Sequence, residues 1–412
     1  MRSKMFLNEF LKIKLLLVFI LLFYKVADFC APKLHGGQVL KNCGYVLSRD
    51  MHAIKGAEVE KVVLYSKKCE NSDEKIIRNG VLLKRKKAKG TVLICHGFTC
   101  DKNDIGFLRY MFKDYNCMTF DFRAHGENID GQCCTLGKHE AYDVTAAAKF
   151  LRGHPDLQGK PILVYGFSMG SVASIEAQAK DRSLFDAMIL DCPFDSAENV
   201  IKQGLDNKKI SIFGHEFNIP GKRILQKYVF HPYVQSFIKV LLCAVQKLNY
   251  RNIKTLIHPV NPSESIKKIS IPCLFIYCKN DEKISINSIK SVYYNAASRY
   301  KKLWITNGRR HFDSFFYNPE KYTERIRKFT SKVIAGTIYK KCKHKIVEDV
   351  ESGDQLKTTL EIGDIEHITK RGPLDGLTMS PLQAQFARSL PKERTRQDKL
   401  VLGRDNMEDD NE

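Results

Sequence analysis

The chain has 412 residues, of which 43% are hydrophobic and 27% charged, so it is long enough for one large domain with extensions. Its formal net charge of +21 at pH 7 raises the question of nucleic-acid binding. The lysines are spread along the chain, and no recognition motif with interleaved stacking aromatics is present. We therefore expect no nucleic-acid partner. An anionic membrane surface, or a lysine-rich composition with no partner at all, accounts for the charge.

The first 32 residues are predicted to be a signal anchor or a signal peptide. Basic residues precede an apolar run from Leu15 to Tyr24, which is too short to span a hydrocarbon core of about 30 Å. Extending the segment to residues 11–31 would reach spanning length, whereas cleavage lacks a suitable small-residue site. We expect an uncleaved anchor, and hence a membrane-associated or exported protein. A cytoplasmic protein is the alternative, which thirteen cysteines without a disulfide framework favour.

Residues 33–57 are polar and contain glycine, which indicates a linker. Two β-strand patterns follow, and Asn79-Gly80 interrupts the second, as a bulge or a tight turn would. Strands then alternate with helical segments, the pattern of a mostly parallel sheet that is covered on both faces. The predicted strands are 59–65, 76–83, 91–95, 117–121, 161–165, 271–277 and 302–306, and the predicted helices are 105–112, 140–151 and 171–180.

The alternation lapses after the strand that ends near residue 191. Apolar and aromatic residues at helical spacing, between about residues 193 and 265, predict a helical insertion that buries its own apolar face. Beyond residue 336 the sequence becomes polar and poor in aromatic residues, so 337–412 is predicted to be a disordered tail. These boundaries leave 58–336 as the main domain.

Ser168 lies between Gly166 and Gly170, directly after an apolar strand pattern and directly before a helix pattern. This arrangement is typical of a nucleophile elbow, in which a strand turns sharply into a helix and leaves the serine at the apex. The two glycines are required because a Cβ at either position would collide with neighbouring backbone.

A base and an acid follow in the order that one type of catalytic triad uses. The strand at 271–277 leads to Asp281, and the last strand leads through a short loop to His311. His311 is predicted to accept the serine proton, and Asp281 to orient the imidazole. Asp195 is an alternative acid, and Asp191 is expected to structure its loop.

Four motifs occur in the same order as in the α/β-hydrolase superfamily, which the chain resembles from about residue 58 to 334. They are His96-Gly97-Phe98, Asp121 to Glu127, Gly166 to Gly170, and Asp191-Cys192-Pro193-Phe194. They are similar to those of the bacterial branch that contains serine aminopeptidases and dienelactone-type hydrolases.

The resemblance implies an α/β fold with a mostly parallel eight-stranded sheet, helices on both faces and a helical cap insertion at about 193–265. That cap would form a lid over a hydrophobic substrate pocket. It also implies a serine hydrolase that cleaves a carboxylic ester through an acyl-enzyme. The backbone N–H groups of Phe98 and Met169 would form the oxyanion hole. His96 and His125 are expected to shape loops.

Two other functions remain open. A serine peptidase or aminopeptidase would need acidic residues near the site for the substrate's amino terminus, and the cap region offers Glu198, Asp206 and Glu216. A non-catalytic, membrane-tethered binding protein is the second alternative. We expect no cofactor and no metal, because the chain lacks a P-loop, a dinucleotide-binding motif and paired metal-ligand motifs. The expected partner is a small-molecule or lipid-like acyl substrate.

Overall fold

The computed structural model describes residues 56–127, 131–206, 209–212, 215–218, 222–228, 230–231, 233–235, 255–308, 311–338 and 343–349. The predicted N-terminal anchor and nearly all of the predicted linker lie outside these residues. Within the ranges just given, no helix has the length and apolar character needed to cross a membrane.

A nine-stranded sheet forms the centre of the described structure. The first two pairings in sheet order are antiparallel, and all the following ones are parallel. In sheet order the strands are β1 (Glu58–Lys67), β2 (Lys75–Lys84), β4 (Asn116–Phe120), β3 (Thr91–Cys95), β5 (Ile162–Phe167), β6 (Ala187–Asp191), β9 (Cys273–Cys278), β10 (Tyr300–Thr306) and β11 (Lys343–Glu348). The prediction of a mostly parallel α/β sheet is therefore confirmed, with nine strands in place of eight.

The ninth strand, β11, falls in the segment that was predicted to be a disordered tail. It pairs in parallel with β10 from Tyr300↔Lys343 to Ile305↔Glu348. Trp304 of β10 also donates a hydrogen bond from Nε1 to Asp349, at 3.1 Å. The open edge of β10 stabilises these six residues, and the average composition of the tail does not show that contribution.

Helices cover both faces of the sheet. They are α1 (Glu140–Gly153), α2 (Met169–Lys180), α3 (Ala197–Asp206), α4 (Lys222–Lys227), α5 (Pro262–Ser265), α6 (Ile286–Asn295), α7 (Ser314–Tyr317) and α8 (Pro319–Ile334), with 3₁₀ helices at Gly106–Phe112, Pro155–Leu157 and Ile266–Lys268. The predicted helix at 105–112 is thus a 3₁₀ helix. Side chains of β5 alternate between two apolar cores, because successive residues of a strand point to opposite faces. Ile162 and Val164 pack with α1 and α2, while Leu163 and Tyr165 pack with α8.

The prediction of a break at Asn79-Gly80 is wrong. Both residues lie in the continuous strand β2, where Gly80 pairs with Val62 on one side and Phe120 on the other. A Cβ on Gly80 would lie 3.1 Å from both the Met118 side chain and the Thr119 carbonyl oxygen. The glycine therefore permits close approach of β2 to β4.

The region of the predicted cap, 193–265, is only partly within the described residues. It contains α3, α4, α5 and a small antiparallel hairpin of β7 (Lys209–Ile212) and β8 (His215–Asn218). The helical pattern in the sequence did not indicate this hairpin. A cap that covers the site remains a prediction.

Candidate active site

Ser168 occupies the sharp turn between β5 and α2, with φ of 52° and ψ of −120°. A positive φ is unfavourable for a residue that has a side chain, so the surrounding packing must hold this conformation. A Cβ on Gly166 would lie 2.7 Å from the backbone of Gly170, and one on Gly170 would lie 2.3 Å from the Cys95 carbonyl oxygen. The two glycines let the elbow pack against its own helix and against the end of β3.

Ser168, His311 and Asp281 form one hydrogen-bonded chain. Nε2 of His311 lies 2.9 Å from Oγ of Ser168, and Nδ1 lies 2.6 Å from Oδ2 of Asp281. The contacts fit a neutral imidazole that donates from Nδ1 to the carboxylate and accepts the serine hydroxyl proton at Nε2. The structure thus brings the three sequence-predicted residues together from the ends of β5, β9 and β10.

The carboxylate of Asp281 is fixed in orientation by its own loop. Its Oδ1 accepts hydrogen bonds from the backbone N–H groups of Lys283 at 2.8 Å and Ile284 at 3.0 Å. Only Oδ2 then faces His311, and the side chain is fully buried. These partners hold the carboxylate in the orientation in which Oδ2 accepts from the imidazole.

The alternative acid Asp195 and the expected loop residue Asp191 both have other hydrogen-bond partners. Asp195 accepts a hydrogen bond from the Ser288 hydroxyl at 2.5 Å and another from the Asn199 amide at 2.7 Å. Asp191 is fully buried and accepts a hydrogen bond from the Tyr322 hydroxyl at 2.6 Å. Burial raises the pKa of Asp191 to about 6, although the Tyr322 hydrogen bond lowers it.

An aromatic pair beside the site was not foreseen from the sequence. The rings of Phe167 and Phe312 stack with centroids 3.8 Å apart and planes 15° from parallel. One ring directly precedes Ser168 and the other directly follows His311, so the stack joins the two backbone segments that carry the nucleophile and the base. A Cβ on Gly97 would lie 2.4 Å from the Phe167 ring, which therefore needs a glycine at that position.

The predicted oxyanion-hole residues lie on the two segments that meet at Ser168. Met169 is the first residue of α2, where backbone N–H groups have no acceptor within the helix. Phe98 lies in the half-buried loop after β3. The two segments are in contact, because a Cβ on Gly170 would lie 2.5 Å from the His96 carbonyl oxygen. This arrangement can present both backbone groups to one substrate atom.

His96 and His125 hold the loops beside the site. His96 is fully buried; its Nδ1 lies 2.8 Å from the Gly97 carbonyl oxygen, and its Nε2 accepts from the Phe122 N–H at 3.0 Å. His125 accepts at Nε2 from the Thr99 N–H, at 3.3 Å. Burial lowers the pKa of both imidazoles. Neutral rings of this kind link the loop after β3 to the loop after β4.

A buried ion pair supports the same loop from the other side. Arg123 donates from Nε and Nη2 to Asp143 of α1, at 3.0 and 2.7 Å, and both side chains are almost completely buried. Arg123 Nη1 also donates to the Lys68 carbonyl oxygen, at 2.6 Å. The Asp121 to Glu127 motif therefore connects β1, β4 and α1 and gives the site a rigid base.

Three possible metal ligands meet at the site within the described residues. One ligand atom from each of Cys192, Asp281 and His311 lies within 4.8 Å of the other two. Cys192 directly follows β6, is fully buried and is not part of the Ser168–His311–Asp281 chain. No spacing motif could have shown this group, because its members lie in three distant segments.

Comparisons with known proteins agree with this architecture. A family model described as serine aminopeptidase, S33, matches residues 86–312. An uncharacterized protein of Bacillus subtilis, YqkD, is 28% identical over 244 residues, which cover 58% of this chain and 70% of that protein. The structure of the Pyrococcus furiosus esterase Pf2001 superposes with a TM-score of 0.50 at 21% identity, covering 68% of this chain and 93% of the esterase. At that identity the likeness concerns the fold.

Proposed function

Because the chain belongs to the serine aminopeptidase S33 family of α/β hydrolases, we propose that it is a serine hydrolase that cleaves carboxylic esters through an acyl-enzyme on Ser168. The observation that carries the proposal is the unbroken chain of hydrogen bonds from Ser168 through His311 to Asp281. A serine hydroxyl is a weak nucleophile by itself and needs a base within hydrogen-bond reach.

In the proposed reaction, Oγ of Ser168 attacks the ester carbonyl carbon while Nε2 of His311 takes the hydroxyl proton. The carboxylate of Asp281 stabilises the resulting imidazolium. Collapse of the tetrahedral intermediate breaks the bond to the alkoxide, which receives the proton from His311. Water, activated by the same imidazole, then attacks the acyl-enzyme and releases the acid together with free Ser168.

The negative charge that develops on the carbonyl oxygen requires preorganised donors. We assign this role to the backbone N–H groups of Phe98 and Met169. The position of Met169 at the start of the twelve-residue helix α2 supports the assignment, since the amino end of a helix carries a partial positive charge.

One observation in the cap region bears on the choice between an ester and a peptide. Aminopeptidases need an acidic group that is available for the substrate's ammonium. Glu198 is the member of the predicted acidic trio whose side chain is described, and it is paired with Lys202 at 2.5 Å. The pairing of Glu198 with Lys202 therefore gives no support to Glu198 as the group that recognises the substrate's amino terminus.

The proposal is tested by fluorophosphonate labelling of the full-length chain, followed by turnover of p-nitrophenyl esters of increasing acyl length. Ser168→Ala should abolish both labelling and turnover, with an almost unchanged melting temperature. Ser183→Ala, on the exposed turn after α2, is the matched control and should label like the wild type.

L-Leucine p-nitroanilide is included as an aminopeptidase substrate. Cleavage of that amide, with the esters inert, would replace the ester proposal by a peptidase. A folded wild-type chain that takes no label would contradict the acyl-enzyme mechanism and favour the non-catalytic alternative.

A further inference from the structure

Cys192 has a position that the hydrolytic mechanism does not use. It follows the last residue of β6 with a φ of 48°, and its backbone N–H donates to the Ile276 carbonyl oxygen at 2.9 Å. The pairing with β9 fixes the backbone of Cys192, while the positive φ directs its side chain away from the regular strand positions. As a result, the thiol lies beside Asp281 and His311.

The three side chains supply sulfur, nitrogen and oxygen, the donor set that zinc accepts in proteins. Their ligand atoms lie within 4.8 Å of one another. In a tetrahedral zinc site with bonds of about 2.0–2.3 Å, ligand atoms are roughly 3–4 Å apart. Atoms as far apart as 4.8 Å would have to close by about 1 Å. Where the metal binds Nδ1 of His311, the 2.6 Å contact with Asp281 Oδ2 would have to open by a similar amount.

We propose that Cys192, Asp281 and His311 form an inhibitory binding site for a thiophilic divalent cation, represented by Zn²⁺. The inhibitory part rests on the proposed function, because it requires His311 to act as the base. The binding part rests on the three ligand atoms alone. Oxygen-seeking cations such as Mg²⁺ are excluded from this prediction, since a thiolate and an imidazole are unsuitable ligands for them.

Inhibition follows from the proton balance at the imidazole. The Cys192 thiol releases its proton to solvent when it binds the metal. If the metal takes Nδ1, the single ring proton moves to Nε2, and the nitrogen that faces Ser168 Oγ becomes a donor. If the metal binds Nε2, it occupies the lone pair that would otherwise accept the Ser168 proton. In both cases Ser168 loses its proton acceptor, which lies 2.9 Å away in the metal-free site.

We expect basal activity to survive replacement of Cys192, because the hydrogen-bonded chain from Ser168 Oγ runs through His311 and Asp281 and does not include the thiol. Cys192→Ser keeps nearly the same shape but removes the thiolate. Cys117, which is equally buried within β4 and remote from this chain, supplies the matched control as Cys117→Ser.

The experiment titrates Zn²⁺ and, separately, Mg²⁺ into the chelator-treated full-length chain and measures ester turnover and the rate of fluorophosphonate labelling. We expect Zn²⁺ to inhibit the wild type and Cys117→Ser, and a chelator to restore both. In Cys192→Ser the inhibitory midpoint should rise at least tenfold, with basal turnover unchanged. Equal inhibition of wild type and Cys192→Ser would overturn the proposal, and so would equal inhibition by Mg²⁺.

Co²⁺ gives a readout that does not depend on activity. A thiolate bound to Co²⁺ produces a charge-transfer absorption in the near ultraviolet, which should appear in the wild type, weaken on addition of Zn²⁺ and be absent from Cys192→Ser. Its absence from the wild type overturns the site even if the enzyme is active. Its presence in a chain that takes no fluorophosphonate label would retain the metal site and reject the hydrolase. Cys192→Ala replaces Cys192→Ser if the serine variant does not fold.

Discussion

At the scale of single residues, the two oxygens of Asp281 have separate tasks. Oδ1 is held by two backbone N–H groups, and Oδ2 receives the imidazole Nδ1 of His311 at 2.6 Å. The loop interactions and the imidazole interaction can therefore be removed independently by substitution.

Asp281→Asn should lower kcat by roughly 10⁴, because an amide that donates to Nδ1 stabilises the wrong imidazole tautomer. The loop should survive, since the amide oxygen can still accept from the backbone. The measurement is p-nitrophenyl ester turnover, with Asp195→Asn as the control. A near-normal rate for Asp281→Asn would contradict its role as the orienting acid.

Phe312→Leu should lower kcat about tenfold with little change in KM, because loss of an aromatic stack worth about 0.5–1.5 kcal/mol loosens His311 relative to Ser168. Phe316→Leu is a suitable control, since that ring meets Phe312 only edge-on with centroids 6.5 Å apart. Steady-state kinetics of both variants would show the difference. Equal effects would mean that the loss reflects general packing.

The three hydrogen-bonded side chains were predictable because each follows an apolar strand pattern, and the carboxyl ends of parallel strands meet at one edge of a sheet. The Phe167–Phe312 stack was not predictable. An aromatic residue within or beside an apolar strand indicates only burial, and the contact partner lies more than a hundred residues away. The position of Cys192 beside Asp281 and His311 was also unpredictable, because the three residues lie in separate segments of the chain.

At the scale of elements, the junction of β3, β5 and α2 depends on close backbone contacts. Gly170→Ala should destabilise the protein by about 1–3 kcal/mol, because the added methyl group would lie 2.3 Å from the Cys95 carbonyl oxygen and force α2 outward. Gly153→Ala near the end of α1 is the matched control, since its Cβ would meet no atom within 4 Å. In urea unfolding, the free energy of unfolding should fall for Gly170→Ala and rise slightly for Gly153→Ala.

The bounds of β3 were predicted correctly. All of its residues are buried, and such an apolar run stands out in a sequence. The prediction of a break at Asn79-Gly80 was wrong because the same dipeptide also fits a continuous strand whose neighbour approaches closely. The close approach of Met118 and Thr119 of β4 to Gly80 distinguishes the two cases.

At the scale of the whole molecule, four histidines favour folding at neutral pH. Burial lowers the pKa of each of them, so the unfolded chain binds protons that the folded chain does not bind as the pH falls below 6.5. The pKa of His139 is lowered to about 4. The affected residues are His96, His125, His139 and His258.

We expect these histidines to reduce the free energy of unfolding as the pH falls from 7 to 5, by up to about 1.4 kcal/mol per pH unit for each fully buried ring. The raised pKa of Asp191, about 6, acts in the opposite direction. The contribution of one ring is therefore isolated by urea unfolding of wild type and His96→Gln at both pH values. The variant should lose less stability between them, and an equal loss would show that His96 is not responsible.

The outer limit of the sheet was the least predictable feature of the fold. The edge strand β11 is stabilised by the neighbouring β10, so no local pattern in residues 343–348 could determine its conformation. Part of the predicted cap at 193–265 lies outside the described residues, so its cover of the site stays a prediction. Fold class therefore followed from the sequence, whereas the outer limits of the fold did not.

The order of the strands has a consequence for the making of this protein on the ribosome. β9 lies between β6 and β10 in the sheet, and His311 follows β10, so the base leaves the ribosome 143 residues after Ser168. Domains generally fold from the amino-terminal side as they are synthesised. A nascent chain that stops before residue 311 therefore holds the serine without its imidazole. On the proposed mechanism, incomplete translation products would therefore lack an activated nucleophile.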